Sequence, residues 1–447
     1  MTKRKKNVRE VALEIIEAVE KNQSYSNLLI HHAIEKDRLS GPDVGLLTEL
    51  TYGTIQRKMT LDYYLAPFIK GKVEPWVRQL LRLSLYQLVY LDKIPDRAVL
   101  FESVELAKKR GHKGISSMVN GILRSIQRSG VPSLEKIEDP VERIAIETSH
   151  PLWLVKRWSE QFGLDKTREM CEMNLIAPTQ TGRVNMMKTN REDLLKELRE
   201  NGQEVEESPI LPEAFHTLKG NLAKTEAFKN GHFTIQDESS MLVAYALQLE
   251  NHLQVLDACS APGGKTTHIS EKMNGTGQVY ALDLHPHKIK LVQENTVRLG
   301  LRNIQAKALD SRKANEHFKK ETFHRILVDA PCSGLGVLRR KPDIKYTKKE
   351  EDLENLQTVQ LSILKSVAPL LKEEGLLVYS TCTVDREENI GTVDRFLDEH
   401  PDFELAELSG LPETIQPFVE NQMLQVFPQD FGGDGFFIAS FKKKTVS

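Results

Sequence analysis

The sequence predicts an α/β protein with an all-helical region, a small α+β unit and then a doubly wound parallel sheet. Three observations carry this. Residues 8–128 place apolar side chains at helical spacing and contain no strand-like run. From about residue 236, short apolar runs alternate with helical stretches, the pattern that builds a parallel sheet. Three of these runs end in loops rich in Cys, Asp and Gly, at the strand ends where open α/β sheets bind ligands.

In chain order, Val8, Val11, Ala12, Ile15, Ile16 and Val19 mark a first amphipathic helix. Ile115, Met118, Val119, Ile122, Leu123 and Ile126 mark the last of the region. Leu80 to Leu91 is apolar nearly all round, as suits a central bundle helix, and Pro42, Pro67, Pro75 and Pro95 punctuate the helices. A linker begins at Gly130-Val-Pro132 and runs through Asp139-Pro140. The expected domains are 1–130, all helical; 131–235, linker and small α+β unit; and 236–447, the sheet domain. In the second, Pro151 to Asn174 reads as helix, and Gly182–Met187, Glu192–Asn201 and Gln203–Glu206 as strand, helix and strand of a ferredoxin-like or RNA-recognition type unit. The third takes strands at Gln254–Leu256, Gln278–Asp283, Ile304–Ala308, Arg325–Asp329 and Leu376–Ser380. Helices fall at Lys265–Met273, His287–Leu299, Glu350–Leu371 and Arg386–Glu399, and Met423–Phe427 with Phe436–Phe441 reads as a terminal hairpin.

Composition narrows the class. At 40% apolar and 28% charged residues, the chain is an ordinary globular one. The basic stretch Met1 to Glu10 leads into no apolar core segment, so no secretory signal is expected. Arg78-Gln-Leu-Leu-Arg82 breaks the best candidate for a membrane span. Cys171, Cys259, Cys332 and Cys382 form no Cys-x-x-Cys pair; neither a metal site nor a disulfide framework is expected, and a cytoplasmic location is. The net charge of −2 hides an asymmetry. Residues 1–130 hold 22 Lys and Arg against 14 Asp and Glu, net +8, and the remainder is net −10. A basic domain attached to an acidic one suits a polyanionic partner; a merely solvated basic surface is the competing reading.

The loop Cys259-Ser260-Ala261-Pro262-Gly263-Gly264-Lys265-Thr266 follows a strand and opens a helix. Its glycines allow a tight bend and close backbone approach to a ligand. The P-loop spacing fails, because Cys259 stands where its first glycine belongs, and Gly-x-Gly-x-x-Gly is absent. Yet Asp283 ends the next strand, where an acidic side chain meets ribose hydroxyls in dinucleotide folds. Asp310 and Asp329 end the two strands after it. A nucleoside cofactor without pyrophosphate fits such a loop, and S-adenosylmethionine is the main candidate; the alternative is that Gly263 and Gly264 merely turn the chain.

Cys332 and Cys382 each stand just past a predicted strand, and the two strands are neighbours in most sheets of this class. A single cysteine is more often a small buried apolar residue, but this pair opens onto the crevice that holds the cofactor loop. A cysteine attacks as thiolate, and a helix expected to start near Asp385-Arg386 would favour that form at Cys382.

Ala261-Pro-Gly-Gly-Lys-Thr266, Asp329-Ala-Pro-Cys-Ser-Gly334 and Ser380-Thr-Cys-Thr383 together resemble, in order and spacing, the RNA cytosine-C5 methyltransferases of the NOL1/NOP2/Sun family. Phe233 to Ser240 resembles the segment that leads into that family's catalytic domain, so the likeness covers 145–443. The first 130 residues, most clearly Ala98 to Lys109, look like a NusB-type RNA-binding helical domain. The resemblance implies a Rossmann-like methyltransferase sheet, S-adenosylmethionine as cofactor and no metal. It implies a monomer acting on small-subunit (16S) rRNA, unassembled or early in assembly, with cytosine 967 as target. By position, Cys382 would be the nucleophile and Cys332 the helper that frees the product. Cys259, Ser260, Ala261, Pro262, Gly263, Gly264 and Lys265 would hold the methionine part of the cofactor, Asp283 its ribose and Asp310 the adenine side. Asp329 would face both cofactor and base. Thr383 stands where many relatives have serine.

The chemistry this implies is covalent. Addition of the Cys382 thiolate to cytosine C6 makes C5 electron-rich and splits one hard step into two. A protonated Asp329 would hydrogen-bond cytosine N3, and Cys332 would assist the elimination as acid and base. The target base must leave its stack first. Arg339-Arg340-Lys341 offers a grip on the RNA backbone, or a solvated surface. The competing functions are a non-catalytic RNA-binding or assembly factor that keeps the fold, and the same chemistry on tRNA. A dehydrogenase is disfavoured by the missing Gly-x-Gly-x-x-Gly.

Overall fold

The computed structural model describes residues 6–22, 26–37, 39 and 41–444, so Lys3-Arg4-Lys5 of the basic start lies outside the described residues. The chain forms two compact units, residues 1–176 with 338–348, and residues 177–337 with 349–447.

The first unit is helical. Every apolar position that marks the helix Val8–Asn22 is buried. In Pro75–Tyr90, Leu80, Leu81, Leu83 and Leu85 are at most 1% exposed, so this helix is enclosed by the others. Each such leucine contributes about 1.5–3 kcal/mol by leaving water. Pro42 and Pro75 occupy first helical positions, where a missing N–H costs nothing, and Pro95 caps Asp96–Arg110. The expected helix from Pro151 to Asn174 is two, Leu152–Phe162 and Leu164–Met173, because Gly163 between them takes a φ of 83°, which favours glycine.

Residues 338–348 complete this unit from far along the chain. Lys345 is fully buried and its Nζ donates to the Gln56 carbonyl at 3.0 Å. The Tyr346 hydroxyl donates to the Ser149 carbonyl at 3.0 Å, and Ser26 Oγ donates to Asp343 at 2.5 Å. Arg339 is buried with its Nε on the Ile176 carbonyl at 3.0 Å. The proposed RNA grip therefore cannot include Arg339, whose guanidinium is spent inside the protein; Lys341 remains exposed.

The second unit holds two sheets. The smaller has β1 (Gln180–Val184), β2 (Glu204–Glu207), β3 (Ala214–Lys219) and β4 (Phe233–Ile235), in the order β2-β3-β1-β4, all antiparallel. The helix Arg191–Glu200 packs Leu194, Leu195 and Leu198 with Val184, Phe215 and Phe233. The larger sheet has β5 (Gln254–Asp257), β6 (Gln278–Asp283), β7 (Ile304–Ala308), β8 (Phe323–Asp329) and β9 (Leu371–Thr381), all parallel. It continues with β10 (Phe403–Ala406), β11 (Val419–Glu420), β12 (Met423–Val426) and β13 (Phe436–Lys443). The order is β11-β12-β13-β9-β8-β5-β6-β7, with β10 beside β13.

The sheet is mixed, because β13 pairs antiparallel with both β9 and β12. The expected terminal hairpin is present and closes that side. Side chains alternate between the two faces. Leu256, Ile326, Val328, Leu377 and Tyr379 pack under the helix Glu350–Val367, whereas Val255, Leu327 and Val378 pack under Glu238–Ala246 and Gly264–Lys272. Burial on both faces explains why these strands are continuous apolar runs. The chain steps outward from β5 to β7 and returns to β8 on the other side of β5. The switch point between β5 and β8 is where such sheets bind ligands.

Candidate active site

The loop after β5 is built around Asp257 and Gly263. Asp257 is fully buried and accepts from Thr266 Oγ1 at 2.6 Å; burial pushes its carboxyl up to about 7. Gly263 has a φ of 106°, and a Cβ there would lie 3.1 Å from Val292 Cα, so both conformation and space require glycine. It caps Gly264–Lys272, whose first N–H groups face the loop. Asn295 Nδ2 donates to the Pro262 carbonyl at 3.0 Å, and the Ser260 N–H to the Leu282 carbonyl at 2.8 Å. The Ser260 hydroxyl is buried with no protein partner among the described residues. An orphaned hydroxyl in a glycine-lined turn fits a small polar ligand group at this position.

The acidic strand ends differ in their surroundings. Asp283 ends β6 and accepts the His285 N–H at 3.1 Å. Asp310 is gripped by its own loop: Arg312 Nε and Nη2 donate to it at 2.9 and 2.7 Å, and the Arg312 pair holds the carboxyl below its ordinary value. Asp329, at the end of β8, accepts from Lys265 Nζ and from Ser380 Oγ, each at 2.9 Å. Burial opposes the Lys265 charge, but Asp329 outweighs it and the ammonium is held above its usual pKa. A donor role for Asp329 therefore needs a proton to reach an oxygen that accepts here.

Cys332 and Cys382 come together. Their strands β8 and β9 are parallel neighbours, and the two Sγ atoms are 3.4 Å apart. The Cys382 sulfur and burial push the Cys332 thiol well above its ordinary value. The helix expected near Asp385-Arg386 begins instead at Ile390, so its N-terminus does not adjoin Cys382. The two thiol loops are stitched to one another: the Gly336 N–H donates to the Cys382 carbonyl at 3.0 Å, and Ser333 Oγ lies 2.9 Å from Thr383 Oγ1. A Cβ on Gly336 would lie 2.0 Å from the Gly435 carbonyl, so no other residue fits. Cys259 lies at the root of the loop after β5, and Cys171 is buried in the helical unit.

Two groups near the site escaped the sequence analysis. Arg183 on β1 reaches across to the helix after the glycine loop, donating to the Gly264 carbonyl at 2.8 Å and to Glu271 Oε1 at 2.9 Å. A lone arginine between Gly182 and Val184 in a short strand was the available signal. Glu388 and Asn389, buried polar residues just past Cys382, lie in the stretch expected to open the helix Arg386–Glu399.

Comparison with known proteins gives one answer along the chain. The family model described as 16S rRNA methyltransferase RsmB/F matches residues 244–442. The NusB family matches 6–128, and a ferredoxin-like domain of RsmF/B-like methyltransferases matches 150–221. A probable ribosomal RNA small subunit methyltransferase B of Bacillus subtilis is 56% identical, over 99% of this chain and 100% of its own. The corresponding protein of Synechocystis is 34% identical over 98% of this chain and 99% of its own. The crystal structure of PH0851 is similar with a TM-score of 0.83 and 25% identity, covering 98% of this chain and 99% of that one.

Proposed function

Since the chain belongs to the RsmB/F family of 16S rRNA methyltransferases, we propose that it methylates C5 of a cytosine in small-subunit rRNA, cytosine 967, through a Cys382 adduct. The enzyme uses S-adenosylmethionine, which supplies an electrophilic methyl group when bound. The observation that carries the mechanism is the 3.4 Å approach of two thiols beside the cofactor loop.

Each residue then has a task. Cys382 adds to cytosine C6, forming a C–S bond and leaving C5 nucleophilic. Asp329, held by Lys265 and Ser380, faces the base, and a proton gained there stabilises the adduct at N3. Cys332 assists as the C5 proton leaves and the C–S bond breaks, which restores the Cys382 thiolate. Cys259, Ser260, Ala261, Pro262, Gly263, Gly264 and Lys265 hold the cofactor's methionine part, with Ser260 Oγ as an open polar position. Asp283 takes the ribose and Asp310 the adenine side. The functional domains are 1–130, 131–235 and 236–447, from which residues 131–176 and 338–348 pack with the helical unit, and the basic helical domain meets the rRNA phosphates. The protein works as a cytoplasmic monomer on unassembled or early-assembly rRNA. Among the described residues no helix is long and apolar enough to cross a membrane.

The test is transfer of labelled methyl to unmethylated small-subunit rRNA, mapped by bisulfite sequencing, with Cys382→Ala in parallel. One protected cytosine that vanishes in the variant is the expected result. Label on tRNA instead would overturn the substrate, and none on either would favour a binding factor.

A further inference from the structure

Two adjacent side chains that no motif above includes hold the thiol loops. Glu388 is fully buried. Its Oε2 accepts the Ser333 N–H at 2.8 Å and Gln360 Nε2 at 3.0 Å, and its Oε1 accepts the Ser333 hydroxyl at 2.5 Å. Gln360 Nε2 also donates to the Pro331 carbonyl at 3.0 Å. Glu388 thus grips the residue after Cys332, and the amide it binds grips the residue before.

Asn389, also fully buried, serves the other loop. Its Oδ1 accepts from Thr381 Oγ1 at 2.6 Å, and its Nδ2 donates to the Thr383 carbonyl at 3.1 Å and to Gln425 Oε1 at 2.7 Å. It brackets Cys382 from both sides. Tyr379 steadies the pair through a 2.6 Å bond from its hydroxyl to the Glu388 carbonyl. Three donors on one buried carboxylate fix its place closely, because any loosened bond strands a buried polar group.

We propose that Glu388 and Asn389 are positioning residues with divided tasks: Glu388 sets the Cys332 loop for product release, and Asn389 sets the Cys382 loop for attack. The inference rests on the two-thiol reading given above. Buried groups that merely stabilise the fold would weaken both steps alike. Groups with divided tasks would separate them, so neighbours in sequence would give opposite phenotypes.

The experiment follows covalent protein–RNA adduct on denaturing gels, using full-length enzyme, S-adenosylmethionine and unmethylated small-subunit rRNA. Cys332→Ala is the reference. Glu388→Gln keeps the shape but faces one Ser333 donor with an NH2 group. It is expected to accumulate adduct as Cys332→Ala does, with turnover down about tenfold or more, and to add little further loss in the Cys332→Ala background. Asn389→Ala is expected to slow adduct formation about tenfold in that same background. Ser333→Ala, which removes only the hydroxyl donor, should shift towards adduct and serves if Glu388→Gln does not fold. Adduct from Cys332→Ala but none from Glu388→Gln or Ser333→Ala overturns the assignment, as does undiminished adduct formation by Asn389→Ala. Absence of adduct from Cys332→Ala itself would instead remove the two-thiol premise.

Discussion

Replacing Arg183 by methionine tests how the small sheet braces the loop after β5. The guanidinium is buried and donates to Glu271 through Nε at 3.1 Å and Nη2 at 2.9 Å, to Thr267 Oγ1 at 3.0 Å, to the Gly264 carbonyl at 2.8 Å, and to Gln236. Methionine fills much of the space but leaves Glu271 buried without its counter-charge. Breaking one side of such a pair costs about 3–5 kcal/mol, and that is the expected loss at neutral pH. Burial raises the Glu271 carboxyl and Arg183 partly opposes this, so the variant's Glu271 rises further. A carboxyl whose folded pKa is raised favours the fold below its unfolded pKa, about 4.3, and loses that contribution as pH rises. The variant's deficit should therefore be roughly halved near pH 4, where the lost bonds to Gly264, Thr267 and Gln236 remain, and grow towards neutrality. Glu271→Gln added to Arg183→Met should recover roughly half of it. Trp76, Trp153 and Trp158 all lie in the other unit, so their fluorescence does not report this site. Hydrogen exchange across residues 180–184 and 264–272, against pH, does. A loss under about 1 kcal/mol at pH 7, or no recovery in the double variant, would refute the reasoning.

Four further predictions concern single residues. Cys382→Ala should abolish methyl transfer, and Cys332→Ala should leave an rRNA-bound protein that denaturing gels detect. Lys345→Met should stabilise the helical unit near pH 7 by about 1–4 kcal/mol, read from urea unfolding by tryptophan fluorescence. Burial pushes the Lys345 ammonium down to about 7, so wild-type stability falls as pH drops from its unfolded value of about 10.4 towards 7. The variant lacks that dependence, so the two proteins should converge at alkaline pH. Gly336→Ala places a Cβ 2.0 Å from the Gly435 carbonyl and 2.8 Å from that of Cys382. Methyl transfer should fall by about a hundredfold as the thiol loops are forced apart, with rRNA binding retained.

Much of the sheet was legible because buried parallel strands are apolar runs of the right length. β6 and β7 match their expected bounds. β9 starts earlier than its apolar run, at Leu371, because Lys372-Glu373-Glu374 extends it in a polar stretch with a register shift opposite β8. The two cysteines were legible as strand-end residues, and adjacency of their strands followed from topology. Arg386 to Asn389 looked helical because Arg and Glu favour helices; the chain instead turns there, with Glu388 and Asn389 directed into the loops. Arg339 looked like surface charge, but it is buried and donates to the Ile176 carbonyl. Glu388 bonds Ser333, and Arg183 bonds Glu271, across 55 and 88 residues of sequence, separations that local patterns do not encode.

The return of residues 338–348 to the helical unit bears on how the chain is born. The helices through Ile176 emerge from the ribosome first, yet Lys345 and its neighbours, which complete their core, follow only after β5 to β8 have been synthesised. The amino-terminal unit therefore begins to fold without the late segment that bonds Gln56, Ser149 and Ser26. Its completion waits for the segment just past the Cys332 loop, so the first unit to begin folding is not finished before β5 to β8 have been translated.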